Sequence, residues 1–194
     1  MAQHNEDADL RFAQGYFASL RIEAERIPEG KTKTPDLRLR QDGRLVGYCE
    51  VKSPQEVFAK QVKRAVAEAP PGKRRGILEI GGPYGTVSRP HYCMLRFATK
   101  AEAQLKAVNP EHDVPNLVML VNHDTHSYHD DFREAVTGYF GSHRTLARRL
   151  RDEVPEIDAY LWADRRPGPQ AEPVEVLFGA DGPLRETVRA LLKR

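Results

Sequence analysis

The sequence predicts an α/β fold, a mixed β-sheet sandwiched between helices, on three observations. The run "NLVMLVN" (116–122) is apolar without alternation, as in a strand buried on both faces. The segments "DLRLR" and "RLVGYCEVK" flank "QDG", a hairpin signal. Segments with apolar residues three and four apart lie before and after these strands, so helices are available to cover the sheet.

In chain order, Leu10, Ala13, Phe17 and Leu20 predict a first amphipathic helix over 7–20, and "RIEAERI" (21–27) alternates as a strand does. The polar turn "PEGKTKTP" leads into the hairpin. Residues 55–68 are helical in pattern and stop at Pro70-Pro71, and 71–93 is a Gly- and Pro-rich excursion containing the short strand "GILEI". Helix 98–108 and the buried strand 116–122 follow. Helices are expected over 129–140 and 142–154 with Gly141 between them, then strands 157–163 and 174–179, then a closing helix from Pro183. Cys49 and Cys93 both sit in strand-like apolar segments, as small core residues of a chain without a disulfide framework.

The 194 residues, 40% hydrophobic and 30% charged, suit a single domain with one filled core. No run approaches the ~18 apolar residues of a membrane span, and the acidic start "MAQHNEDADLRF" is unlike a signal peptide. A cytoplasmic protein with no membrane partner is expected. The formal charge of +2 argues for no polyanionic partner by itself. The basic residues are clustered, however, in "GKRRG" (72–76) and "HRTLARRLR" (143–151), where a helix would put Arg144, Arg148 and Arg151 on one face. Each cluster taken alone reads as a solvated surface.

The hairpin carries the most specific chemistry. Strand alternation puts Val46, Tyr48, Glu50 and Lys52 on one face and Cys49 and Val51 on the other. With a three-residue loop at Gln41-Asp42-Gly43, Arg40 pairs with Arg44, and Asp36 faces Tyr48, diagonal to Glu50. A two-residue loop would send Asp36 to the opposite face, and Gly43 as third loop residue favours the first arrangement. Two carboxylates this close repel unless a cation lies between them, and all-oxygen ligation suits Mg2+ or Mn2+, with the Val51 carbonyl as a further ligand. Lys52 would then orient or deprotonate a water, or hold charge developing on a phosphate.

Pro35-Asp36 and Glu50-Val51-Lys52 resemble the signature of the PD-(D/E)XK nuclease superfamily, which has the restriction-endonuclease-like fold. The resemblance implies an αβββαβ core, which residues 7–122 can follow by segment order, with 53–97 as an insertion and 142–194 as a C-terminal extension. It implies that Asp36 and Glu50 hold the metal and Lys52 assists the attacking water. It also implies an acidic residue from the first helix, Glu6 or Asp9, and a glutamine on the crossover helix. That glutamine is Gln104, with Lys100 on the same face, or Gln61 if 55–68 is the crossover helix. The implied activity is hydrolysis of phosphodiester bonds, in DNA before RNA. Lys73, Arg74, Arg75, Arg144, Arg148 and Arg151 would contact the nucleic-acid backbone. A homodimer would serve to cut both strands, although no segment marks a self-complementary face.

Two other function classes remain. The same fold can bind nucleic acid or protein without cutting. Alternatively, "NHDTHSYHDDF" (122–132) could build a zinc-type hydrolase from His123, His126 and His129 with Asp124, Asp130 and Asp131. Its spacing matches no helical zinc pattern, and the preferred reading makes Asp124 a turn cap and His129 or Asp130 the start of a helix. "GGPYG" lacks the lysine and helix of a phosphate loop, and Ser53, Ser127 and Ser142 lack a nucleophile elbow.

Overall fold

The computed structural model describes residues 6–28, 30, 34–53, 90–123, 129–140, 144–145, 149–165 and 173–193. Helix α1 (Glu6–Ser19) forms because Leu10, Ala13 and Phe17 recur at helical spacing, and these bury together with Tyr16 and Asp9. A short strand β1 (Glu23–Arg26) pairs antiparallel with β2 (Leu37–Gln41), which turns back into β3 (Arg44–Lys52). The next described element is helix α2 (Pro90–Val108), which opens on a proline, whose missing N–H costs nothing in a first turn. It leads to β4 (Asn116–Asn122), parallel to β3 and buried at every position.

Helix α3 (His129–Thr137) comes next, followed by a two-stranded ribbon of β5 (Tyr139–Phe140) and β6 (Arg144–Thr145) and the short helix α4 (Leu150–Glu153). Strand β7 (Ala159–Asp164) lies parallel to β4, and β8 (Glu175–Phe178) pairs antiparallel with β7 before helix α5 (Arg185–Leu191). The result is a six-stranded mixed sheet in the order β1-β2-β3-β4-β7-β8.

Alternation along β4 and β7 explains why the sheet is covered on both faces. Leu117, Met119, Val121 and Leu161 pack with Leu10, Phe17 and Ile22 at α1 and with Val188 and Leu191 of α5. Val118, Leu120, Tyr160 and Trp162 pack with Met94, Ala101 and Leu105 of α2, with Phe132 and Val136 of α3, and with Leu150 of α4. Each fully buried side chain of this size contributes about 1.5–3 kcal/mol, so the two clusters dominate the sheet's stability. Among the described residues no helix is long and apolar enough to cross a membrane.

Several boundaries differ from expectation. Helix α2 begins at Pro90 rather than at 98, so Cys93 is helical and the expected insertion shortens at its C-terminal end. Its remainder, 54–89, with helix 55–68 and Gln61, lies outside the described residues. Helix α3 stops at Thr137 because Gly138 takes φ 72, and its N–H closes the last turn on the Glu134 carbonyl at 2.8 Å. The expected helix 142–154 is replaced, among described residues, by β6 and the four-residue α4. Arg144 therefore lies on a strand and Arg151 on a separate helix, so they do not share a helical face. Cys49 is buried, as expected for a core residue.

Candidate active site at the carboxyl ends of β3 and β4

The hairpin turn is tighter than expected. Gln41 pairs with Arg44, leaving a two-residue loop in which Asp42 (φ 49) and Gly43 (φ 75) both take positive φ, the geometry of a type I′ turn. A regular ladder from that turn would put Asp36 on the wrong face. The register instead slips between Leu39 and Arg40, which pair with Gly47 and Leu45, so Val46 is an extra residue on β3. Beyond the bulge Leu37 pairs with Cys49, and one step further Asp36 lies across from Glu50 rather than from Tyr48. The bulge also moves Val46 to the face of Cys49 and Val51, where it packs in the α1 cluster rather than beside Tyr48.

Asp36 and Glu50 are cross-tied. The Asp36 N–H donates to Glu50 Oε2 at 3.0 Å, and the Val51 N–H donates to Asp36 Oδ2 at 2.8 Å. The Lys52 ammonium donates to Glu50 Oε1, and also to Gln104 Oε1 at 3.1 Å. Gln104 is itself held by donation from Nε2 to the Thr34 carbonyl at 2.9 Å. Helix α2 thus fixes the lysine against the carboxylate pair, and Gln104 rather than Lys100, which is exposed, does so.

Glu50 is 1% exposed. Burial, followed by the neighbouring Asp36 charge, pushes its carboxyl up to about 7 against the opposing pull of Lys52. Burial also raises Asp36, with the Val51 N–H and Lys52 acting against the shift. One buried and one half-buried carboxyl group with a single ammonium leave a deficit of positive charge. This is the property that fits the pair to a hard divalent cation with oxygen ligands. Among the described residues no group of three or more His, Cys, Asp and Glu side chains gathers in a metal-binding cluster. Among the described residues, backbone carbonyl and water oxygens are the further ligands such an ion could take.

The first-helix acid separates into its two alternatives. Glu6 is exposed, whereas Asp9 is 4% exposed. Asp9 Oδ2 accepts a hydrogen bond from the Ser53 hydroxyl, and Oδ1 lies 2.9 Å from His123 Nε2. Ser53 and His123 were not read together from the sequence. Their shared position, just past the ends of two strands, was visible only as two unrelated end residues until the parallel pairing of β3 and β4 brought them side by side.

The histidine-rich segment does not assemble among the described residues. Residues 124–128 lie outside them, His123 joins Asp9, and His129 opens α3 with Nε2 at 3.7 Å from Glu175 Oε2. Lys73, Arg74, Arg75 and Arg148 also lie outside the described residues. Arg151 is within 4.0 Å of Asp152, so part of its charge is balanced locally. No protein-family model, curated protein or solved structure matches this chain.

Proposed function

We propose that this protein is a metal-dependent nuclease of the PD-(D/E)XK type, hydrolysing phosphodiester bonds of DNA. The observation that carries the reading is the pair of half-buried Asp36 and buried Glu50, cross-tied through backbone N–H groups, with Lys52 held on Glu50 by Gln104. The order of a helix, three antiparallel strands, a helix and a fourth strand parallel to the third accords with a restriction-endonuclease-like core. Placement at the carboxyl ends of parallel strands accords with where α/β proteins bind ligands.

On this reading Asp36, Glu50 and the Val51 carbonyl hold Mg2+ or Mn2+. The bound ion would supply charge stabilisation for the phosphate and a more acidic water. Lys52 orients the attacking water and offsets charge growing on the phosphate, and Gln104 keeps the ammonium from leaving the site. Neutral Glu50 would give up its proton on binding the cation, so uptake strengthens as pH rises through about 7.

A cleavage assay on supercoiled, linear and single-stranded DNA and on RNA, with Mg2+ or Mn2+, tests the proposal. Cleavage by the wild type that is lost in Glu50→Ala is the expected result. Cleavage that persists in Glu50→Ala overturns the mechanism. No cleavage of any substrate, combined with nucleic-acid binding that needs no metal, favours the non-catalytic binding module.

A further inference from the structure

Arg165 is a cation that the mechanism above leaves unused. It follows the last residue of β7 and is exposed, and its N–H donates to the Asn122 carbonyl at 2.8 Å, which ties the backbone there to the end of β4. Its guanidinium lies over the ring of Phe12 on α1, 4.9 Å from the centroid, and it enters no ion pair among the described residues. Ala159 and Leu161 pack toward α1, and Arg165 continues their parity. Asp164, its neighbour in the chain, has the parity of Tyr160 and Trp162 and belongs to the α2 face. Asp9, the acid one turn before Phe12, is engaged by Ser53 and His123.

Stacking on an aromatic ring prepares a guanidinium for phosphate. The ring takes the flat face, and the N–H donors in the plane keep the fork that matches two phosphate oxygens. Phe12 is itself anchored, packed partly buried against the α1 cluster. An arginine held in this way loses less conformational freedom on binding an anion than a loose surface arginine does.

The sheet register fixes how far this cation stands from the carboxylate site. Lys52 lies opposite Leu120 of β4, and Asn122 lies opposite Asp164 of β7. Arg165 is thus two strands across from Lys52 and three residues further along. At ordinary strand spacing and rise this is about 10 Å in each direction, or about 14 Å between Cα atoms. One DNA strand advances about 3.4 Å per nucleotide, so the gap corresponds to roughly four nucleotides. A strand with its scissile phosphate at Asp36, Glu50 and Lys52, laid along the carboxyl edge of the sheet, brings a flanking phosphate to Arg165. We propose that Arg165, stacked on Phe12, is the clamp for that flanking phosphate and positions DNA across the ends of β3, β4 and β7. The inference rests on the nuclease reading for the identity and path of the substrate. Arg165 contributes binding and register, and the bond changes at phosphorus belong to the carboxylate site.

Salt dependence of binding tests the contact, since a residue that only supports the fold does not set it. Binding of a fluorescent duplex oligonucleotide is followed in EDTA, across a series of NaCl concentrations, for the wild type, Arg165→Gln, Arg165→Lys and Arg44→Gln. Arg44 is also exposed and lies at the hairpin turn, at the far end of β3 from Lys52. Arg165→Gln should weaken binding and reduce the steepness of log K against log[NaCl] by about 0.9, whereas Arg44→Gln leaves it unchanged. Arg165→Lys keeps the charge and should retain the slope, with weaker binding because an ammonium offers no planar fork. In cleavage with Mg2+, Arg165→Gln should raise KM by a larger factor than it lowers kcat. An unchanged slope in Arg165→Gln, or equal falls in Arg165→Gln and Arg44→Gln, overturns the clamp; the nuclease reading then stands as long as Glu50→Gln abolishes cleavage. Binding with the expected change of slope but no cleavage by the wild type keeps the phosphate contact and overturns the nuclease reading. A wild type that neither binds nor cuts DNA overturns both.

Discussion

Glu50→Gln, studied without metal, should reverse its stability relative to the wild type as pH rises. The native carboxyl titrates at about 7, against an ordinary value of 4.5. That gap, at about 1.4 kcal/mol for each pH unit, corresponds to about 3 kcal/mol. Because the native pKa is raised, the folded state binds the proton more tightly than the unfolded chain. Stability from this group is complete below about pH 4.5 and is lost progressively as pH climbs through about 7. In acid the native group is the neutral carboxylic acid, and glutamine keeps its shape but has one accepting oxygen where the acid has two to meet the Asp36 N–H and Lys52, a loss of about 1 kcal/mol.

Near pH 4 the variant should therefore be less stable by about 1 kcal/mol, and above about pH 8 more stable by roughly 2 kcal/mol. Urea denaturation in EDTA across this range measures both values from the midpoint and slope. Asp36 also titrates high, but it does so in both proteins and largely cancels in the difference. A difference that stays constant within about 0.5 kcal/mol from pH 5 to pH 8 would refute the claim that Glu50 is a strained, proton-retaining carboxylate. Added Mn2+ should then stabilise the wild type at high pH and leave Glu50→Gln nearly unchanged.

Three further outcomes are expected. Lys52→Met should lower cleavage by about 10²-fold or more while Mn2+ uptake, followed by calorimetry, persists; loss of both together would mean that the lysine is only a structural partner of Glu50. Gln104→Leu removes the tie from Lys52 to the Thr34 carbonyl and should cost about 1 kcal/mol in urea denaturation together with a fall in kcat, whereas unchanged kcat would show that Lys52 needs no second anchor. Gly43→Val forces a β-branched residue to φ 75 and should cost at least about 1–2 kcal/mol, and an unchanged midpoint would contradict the I′ turn.

Much of the site was legible from residue types and strand alternation. Glu50 and Lys52 share a face because they are two apart on one strand, and this needs only local geometry. The apolar run at 116–122 sufficed for a central strand, and spacing sufficed for α1. The position of Asp36 was not legible in the same way. A loop of two or three residues and a bulge that restores parity are nearly equivalent local choices, and burial of Leu37 and Leu39 against α1 selects between them. Arginine spacing at 144–151 suggested a helix, yet Gly138 ends α3 and a ribbon follows, because helical pattern alone does not decide where a chain leaves the core.

The sequence by itself determined the carboxylates, the lysine and the strand that presents them, since those follow from chemistry and a period of two. Tertiary structure alone decided that Gln104 reaches Lys52 across 52 positions of chain and that Asp9 meets His123 across 114. Such contacts depend on the parallel pairing of β3 with β4 and on α1 and α2 covering opposite faces of the sheet. No local pattern encodes them, because the free energy that holds them comes from the buried surface of the whole sheet.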